Sequence, residues 1–321
     1  MKKLLLTLLF FISTAALAWE PTKPINVIIG NQAGSGNEIG FRAISAVVQK
    51  NNPNANFVIE LKPGADSTIA MNKLLESAPD GYTIAIPSHM STYVTNDIWQ
   101  SKIKKFEYNS FVTAFSMGQS PLCIVANPKS KISTVNELIT LVQTTDKPVT
   151  FALGGGAHRM AYEFFMLNAN ANKSKVDFVM FPGPAQALQS VASEAGTEFG
   201  IMPIAIANSL VQSGHVKLLG ITGTKRLERL PQAEPIVVNG KTISVMASWA
   251  LALPPNTPQE IVDWYMKNFI PALKSAEVKQ YYDDNLISLD LKQLSPQGFD
   301  KHILELRKEY MPLAKVIDIS R

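Results

Sequence analysis

Short apolar, β-branched runs alternate with amphipathic helical stretches along nearly all of this 321-residue chain, and that alternation restricts the fold more than any other feature. Residues 25–30, 57–60 and 82–86 read as strands. Helical patterns separate them, one from about 37 to 49 and one through Ile69, Met71, Leu74 and Leu75. The rhythm resumes with strands expected at 122–126, 149–153, 178–181 and 217–222, and helices at 135–143, 159–168 and 185–193. Strands joined through helices return in the same direction, because a parallel pair needs a crossover that a tight turn cannot supply. The expected class is α/β, each sheet mixed but mostly parallel and flanked by helices.

Two mostly apolar stretches, 115–126 and 245–252, are long enough to carry the chain from one lobe to another and back. Pro254, Pro255 and Pro258 stop the second, and Pro258 opens a helix at the position that tolerates a missing N–H. Further helices are expected at 259–269, 276–285 and from 296 to about 314. The layout expected is residues 19–118 as the first part of lobe 1, 119–245 as lobe 2, and 246–321 as the return crossing with C-terminal helices, mostly of lobe 1. A ligand cleft would lie between the lobes.

Residues 1–18 have the form of an export signal. Lys2 and Lys3 precede an apolar run over 4–12, and small residues follow up to Ala18. The run is shorter than the roughly 18–20 residues a membrane span needs, so cleavage after about Ala18 and release into the periplasm are expected, without stable membrane insertion. Removing the two leader lysines leaves 28 basic against 26 acidic side chains, a balance that argues against nucleic acid as partner. Cys123 is the single cysteine and lies in an apolar run, where a buried, inert thiol is expected. The four histidines show no metal-ligand spacing and no G-x-S-x-G turn seats a nucleophile, so no metal, cofactor or catalytic residue is assigned.

The chemistry concentrates in two glycine-rich turns, each between an expected strand and helix. The first contains Asn31, Ala33, Gly34, Ser35, Gly36 and Asn37; the second contains Gly155, Gly156, Ala157 and His158. A helix start with little side-chain bulk exposes unpaired N–H groups and the positive end of the helix dipole, which together attract an anion. Two of them suggest a cleft gripping an acid from both sides. Ser88, His89 and Thr92 follow a strand directly and suit either ligand contact or helix capping. Arg159 suits an anion or a solvated surface, and Trp249 a cleft wall or a core. One competing template exists: Gly34-x-Gly36-x-x-x-Gly40 followed by Glu60 at the next strand end, the outline of a nucleotide-dependent oxidoreductase.

Ordered segments across the mature chain resemble the periplasmic receptors of tripartite tricarboxylate transporters, the Bug-type solute-binding proteins. They include the Ala33–Glu38 loop with Arg42, then Pro63-Gly64-Ala65, and Ala78-Pro79-Asp80-Gly81-Tyr82-Thr83. Beyond these come Val125-Ala126-Asn127-Pro128, the Gly154–His158 loop, Thr222-Gly223-Thr224-Lys225-Arg226 and Ser248-Trp249. The resemblance implies a type II-like, two-lobed binding protein that closes on a small organic carboxylate. It implies delivery to a membrane permease with a large and a small subunit, by a receptor expected to be a monomer and not an enzyme. A non-carboxylate ligand, or signalling to a sensor partner, is the alternative within binding proteins.

In the family the two loops hold a ligand carboxyl through backbone amides, and the turns at Pro63–Ser67 and at Ser88–Thr92 add cleft walls. This chain departs at Asn31-Gln32, Ser35 and Asn37-Glu38, and its second loop is about two residues short. It also carries Met202-Pro203 where an acidic residue and Asn are frequent. Met202 is therefore expected to give the cleft an apolar wall and to disfavour an amino-acid ligand.

Overall fold

The computed structural model describes residues 19–193 and 195–317; the leader expected over 1–18 lies outside them. Three parallel strands, β1 (Ile25–Ile29), β2 (Phe57–Leu61) and β3 (Thr83–Ala85), found the first lobe in the order β2-β1-β3. Their crossovers are α1 (Gly36–Asn51) and α2 (Thr68–Leu75). A π-helical turn (Ser91–Thr95) and α3 (Asn96–Trp99) lead into β4 (Val112–Ala126), which leaves the lobe.

The second lobe follows with α4 (Val135–Thr144), β5 (Val149–Leu153), α5 (Gly156–Ala169), β6 (Val176–Met180), α6 (Pro184–Ala192), β7 (Phe199–Pro203), α7 (Ile204–Gln212) and β8 (Lys217–Ile221). Strands β6, β5 and β7 are parallel, whereas β4 runs antiparallel to β7 and β8. A small hairpin, β9 (Val237–Val238) and β10 (Lys241–Thr242), precedes β11 (Met246–Leu253). Then come α8 (Gln259–Leu273), α9 (Ala276–Asp284) and α10 (Pro296–Tyr310).

Strand β4 is shared by both lobes. Its residues 112–121 pair with β11 and its residues 122–126 with β7 and β8, so one sheet runs through the molecule in the order β2-β1-β3-β11-β4-β7-β5-β6. Where the pairing changes hands, Thr222 Oγ1 accepts the Leu122 amide at 2.8 Å and donates to the Val245 carbonyl at 2.6 Å. That hydroxyl joins both crossing segments.

Each lobe has its own core. Phe41, Phe57, Phe115 and Phe269 stack in the first, and Phe151, Phe199, Tyr162 and Phe178 in the second. Met90, Val94, Ile98 and Tyr310 pack into the second core although they come from segments before β4 and after β11. Burial of such side chains contributes on the order of 1.5–3 kcal/mol each and sets how the lobes sit against these segments.

Periodicity alone did not foresee β7, α7 or the helical turns over 91–99. The run Ile204-Ala205-Ile206-Ala207 fits a buried strand as well as a helix, and α7 has no side-chain cap to announce it. Ser91–Thr95 is rich in β-branched residues yet is wound helically, because every residue of it is buried by tertiary contacts that outweigh propensity.

Candidate ligand cleft

A cavity of about 130 Å³ lies between the lobes. The start of α1 forms one wall, through Asn31, Gly34, Ser35, Gly36 and Asn37, with Ser88 and Ser91 beside it. The opposite wall is the start of α5, from Gly154 to His158, extended by Pro184, Pro203, Ala205 and Ile206. Ser120 on β4 and Ser248 and Trp249 on β11 close the back. The two glycine turns therefore do face each other across one space.

The α1 turn is held by its own side chains. Ser35 caps the helix, its hydroxyl accepting from the Glu38 amide at 3.4 Å, and the Glu38 carboxylate turns back to accept from the Gly34 amide at 2.8 Å. Arg42 holds that carboxylate from one turn on, at 2.8 Å. The Asn37 amide group donates to the Ile86 carbonyl at 3.0 Å and to Ser88 Oγ at 3.2 Å, tying the helix start to the end of β3. What this turn offers a ligand is backbone: the amides of Gly36 and Asn37 in the first helical turn, which have no partner within the helix.

The α5 turn is organised differently. Its N-cap is Gly155, which has no side chain to cap with. The Gly154 amide donates to His158 Nδ1 at 3.1 Å. The Gly156 amide donates to Asp66 Oδ1, also at 3.1 Å. Asp66 reaches in from the other lobe, from the loop between β2 and α2. Ser91 Oγ and Thr95 Oγ1 add hydrogen bonds to its two oxygens at 3.0 and 3.1 Å. A Cβ on Gly156 would fall 2.0 Å from Asp66 Oδ2, so this contact requires glycine. The loop carrying Asp66 is left-handed at Ala65, Asp66 and Ser67, with φ of 47°, 50° and 70°. That conformation costs L-residues roughly 1–2 kcal/mol each, held in place by the surrounding contacts.

Burial raises the Asp66 carboxyl above the usual carboxylate range, against the three hydrogen bonds that pull it down. Burial also lowers His158 to about 4, so its imidazole is neutral at neutral pH. Among the described residues no Lys or Arg lines the cavity, and Asp66 is its single carboxylate. Two buried polar atoms on the back wall, Ser120 Oγ and Trp249 Nε1, have no protein partner among the described residues. Their residues are 1% and 3% exposed, and the Nε1 edge of Trp249 lies against α1 at Gly40.

Several expected site residues lie elsewhere. Met202 is fully buried in the second lobe's core, because side chains alternate along β7 and its neighbour Pro203 takes the cleft side. His89 turns away from Ser88 in the same manner, its ring edge-on to Phe299 and His302 with centroids at 4.9 and 5.4 Å. Burial, then the neighbouring His302, keeps it neutral. Thr92 is buried outside the cavity lining. Ser67 donates to the Gly30 carbonyl at 3.1 Å and serves the loop, while Ala33 is an exposed tip. Arg159 lies over Trp99, 4.3 Å from the ring centroid, away from the cleft. Trp249 is at once cleft wall and core, packed so closely on α1 that a Cβ on Gly40 would come within 3.0 Å of it.

The nucleotide template fails on geometry. Glu60, its ribose ligand, is engaged by Lys73 at 2.6 Å and by Asn26 at 3.0 Å and does not line the cavity. The cavity itself is below the roughly 300 Å³ at which pockets for drug-sized ligands begin. Sequence reasoning placed Asp66 only within the Pro63–Ser67 turn, as part of a cleft wall, and did not single it out; it missed Ser120.

The family model described as tripartite tricarboxylate transporter family receptor matches residues 41–318. Protein BugT of Bordetella pertussis is 24% identical over 293 residues, covering 88% of this chain and 88% of that one. Among solved structures, MatC from Rhodopseudomonas palustris with bound malate has a TM-score of 0.82 at 18% identity, covering 92% of this chain and 100% of the other. An R. palustris protein solved with adipate gives 0.83 at 18% identity, with 92% and 97% covered. At these identities the structures speak for the shared two-lobed fold.

Proposed function

The chain belongs to the tripartite tricarboxylate transporter receptor family, and from that premise we propose that it captures a small organic carboxylate between its lobes in the periplasm and delivers it to a membrane permease with a large and a small subunit. The observation that carries the reading is the pair of helix starts, α1 and α5, lining one small cavity. A carboxylate fits the α1 end: first-turn amides of Gly36 and Asn37 supply hydrogen bonds and the helix dipole supplies the field. His158, with a neutral imidazole, lines the same cavity, and Ser88, Ser120 and Ser248 bring hydroxyls to its lining. Fold neighbours solved with malate and adipate are consistent with an acid ligand.

Ligand capture then amounts to a population shift. An acid that contacts both lobes binds the closed form better than the open one and draws the equilibrium toward it, and the permease reads the closed surface. The receptor acts as a monomer after removal of the leader. Native mass spectrometry of the protein purified from its host, followed by calorimetric titration with the acid found, tests this reading. A bound carboxylic acid with saturable 1:1 binding and no turnover is the expected result; a bound non-acid, or product formation, overturns it.

A further inference from the structure

Asp66 is a first-lobe residue that hydrogen-bonds to the first amide of a second-lobe helix, and among the described residues it is the single carboxylate lining the cleft. Its two oxygens already take three donors, from Gly156, Ser91 and Thr95, out of about four acceptor sites that a carboxylate has. The backbone bearing it is wound left-handed through three consecutive non-glycine residues, so the placement is maintained against local preference. The second-lobe side of the cavity is largely hydrocarbon, made by Pro184, Pro203, Ala205 and Ile206, and among the described residues no lysine or arginine lines it to neutralise added negative charge.

Where two helix starts face one cavity, an acid with a carboxylate at each end would satisfy both. Here one of those places is taken. We propose that Asp66 fills, from within the chain, the anion position at the start of α5, and that the receptor therefore selects acids with a single carboxylate. The carboxylate sits at the α1 end, near Gly36 and Asn37, and the apolar body lies along the second-lobe wall. A second carboxylate at the α5 end meets a like charge with no counterion and finds the Gly156 amide already occupied. The inference rests on the carboxylate reading above and narrows it.

The test compares wild type with D66N, which removes the charge, and D66G, which also vacates the Gly156 amide. Glycine is at ease at φ near 50°, so D66G relaxes the loop. Each protein is titrated calorimetrically with monocarboxylates from butanoate to octanoate, the matching diacids from succinate to suberate, and ω-amino acids of the same lengths. Wild type is expected to prefer a monoacid over its matching diacid by at least about tenfold, D66G to erase or reverse that ratio, and D66N to fall between. Should D66G not fold, the ratio in D66N carries the comparison. Equal affinity of wild type for both acid classes, or an unchanged ratio in D66G, overturns the inference while the carboxylate reading stands. So does an ω-amino acid that binds wild type best and D66G poorly, since Asp66 would then be the partner of an ammonium. If no acid binds any of the three proteins, the carboxylate reading falls and this inference with it.

Discussion

Gly154 donates its amide to Nδ1 of His158 at 3.1 Å, which assigns the remaining ring proton to Nε2. The imidazole of this cleft-lining residue is neutral and fixed in one tautomer, and burial keeps it so down to about pH 4. Because the folded value lies below the ordinary histidine value of 6.5, the unfolded chain binds the proton more readily; the associated stability is complete above about pH 6.5 and is lost as pH falls toward 4. Proton NMR titration of His158 in the native protein should find a midpoint near 4. A midpoint near the ordinary value would contradict the burial argument.

The two glycine loops differ in how they tolerate a methyl group. On Gly156 it would collide with Asp66 and Thr95, at 2.0 and 2.5 Å; on Gly36 it meets only the Trp249 ring at 3.9 Å. Gly156→Ala should prevent the lobes from seating, enlarging the radius of gyration in solution scattering and weakening ligand binding by at least about tenfold, or 1.4 kcal/mol. Gly36→Ala should keep the scattering profile and, by helix propensity, gain up to about 1 kcal/mol of stability. Equal behaviour of the two variants would refute a tight contact at the α5 end.

Ser120 gives a test that separates binding from folding. Its hydroxyl is buried without a protein partner, a situation that costs about 1–3 kcal/mol in desolvation. Ser120→Ala should therefore raise the melting temperature of the empty protein while lowering ligand affinity. A variant that loses both, or neither, would remove Ser120 from the binding surface.

Glu60 carries a pH signature unrelated to the cleft. Lys73 first, then Asn26, hold its carboxyl down at about 2, below the ordinary value of 4.5. The stabilisation is present above about pH 4.5 and disappears as pH falls toward 2. With the side chain 32% exposed, solvent screening reduces it to about 1 kcal/mol. Lys73→Met should lose that amount near neutrality and almost nothing at pH 2 in denaturant melts, with ligand affinity unchanged.

Much of the fold was readable because β1 and β5 each end in a glycine turn that opens a helix, and local chemistry alone dictates that arrangement. That the two turns share one cleft was read from the two-lobe layout and the family resemblance. The orientation of individual side chains was not. Met202 and Pro203 share a strand end, and His89 follows Ser88; which of each pair enters the cleft depends on strand parity and packing, properties of the assembled sheet. Asp66 escaped because its contact with Gly156 joins residues 90 positions apart in different lobes. Nothing in the neighbouring residues announces such a contact.

Thr222, joining Leu122 to Val245, bears on how the molecule moves. Pro121 precedes Leu122 and contributes no N–H, so at the handover the sheet has a gap in its ladder and a hydroxyl beside it. The lobes are hung on a flexure in place of a swinging linker. Any opening of the lobes has to bend this shared strand where its ladder is interrupted, with Thr222 tying the two crossing segments together beside the gap.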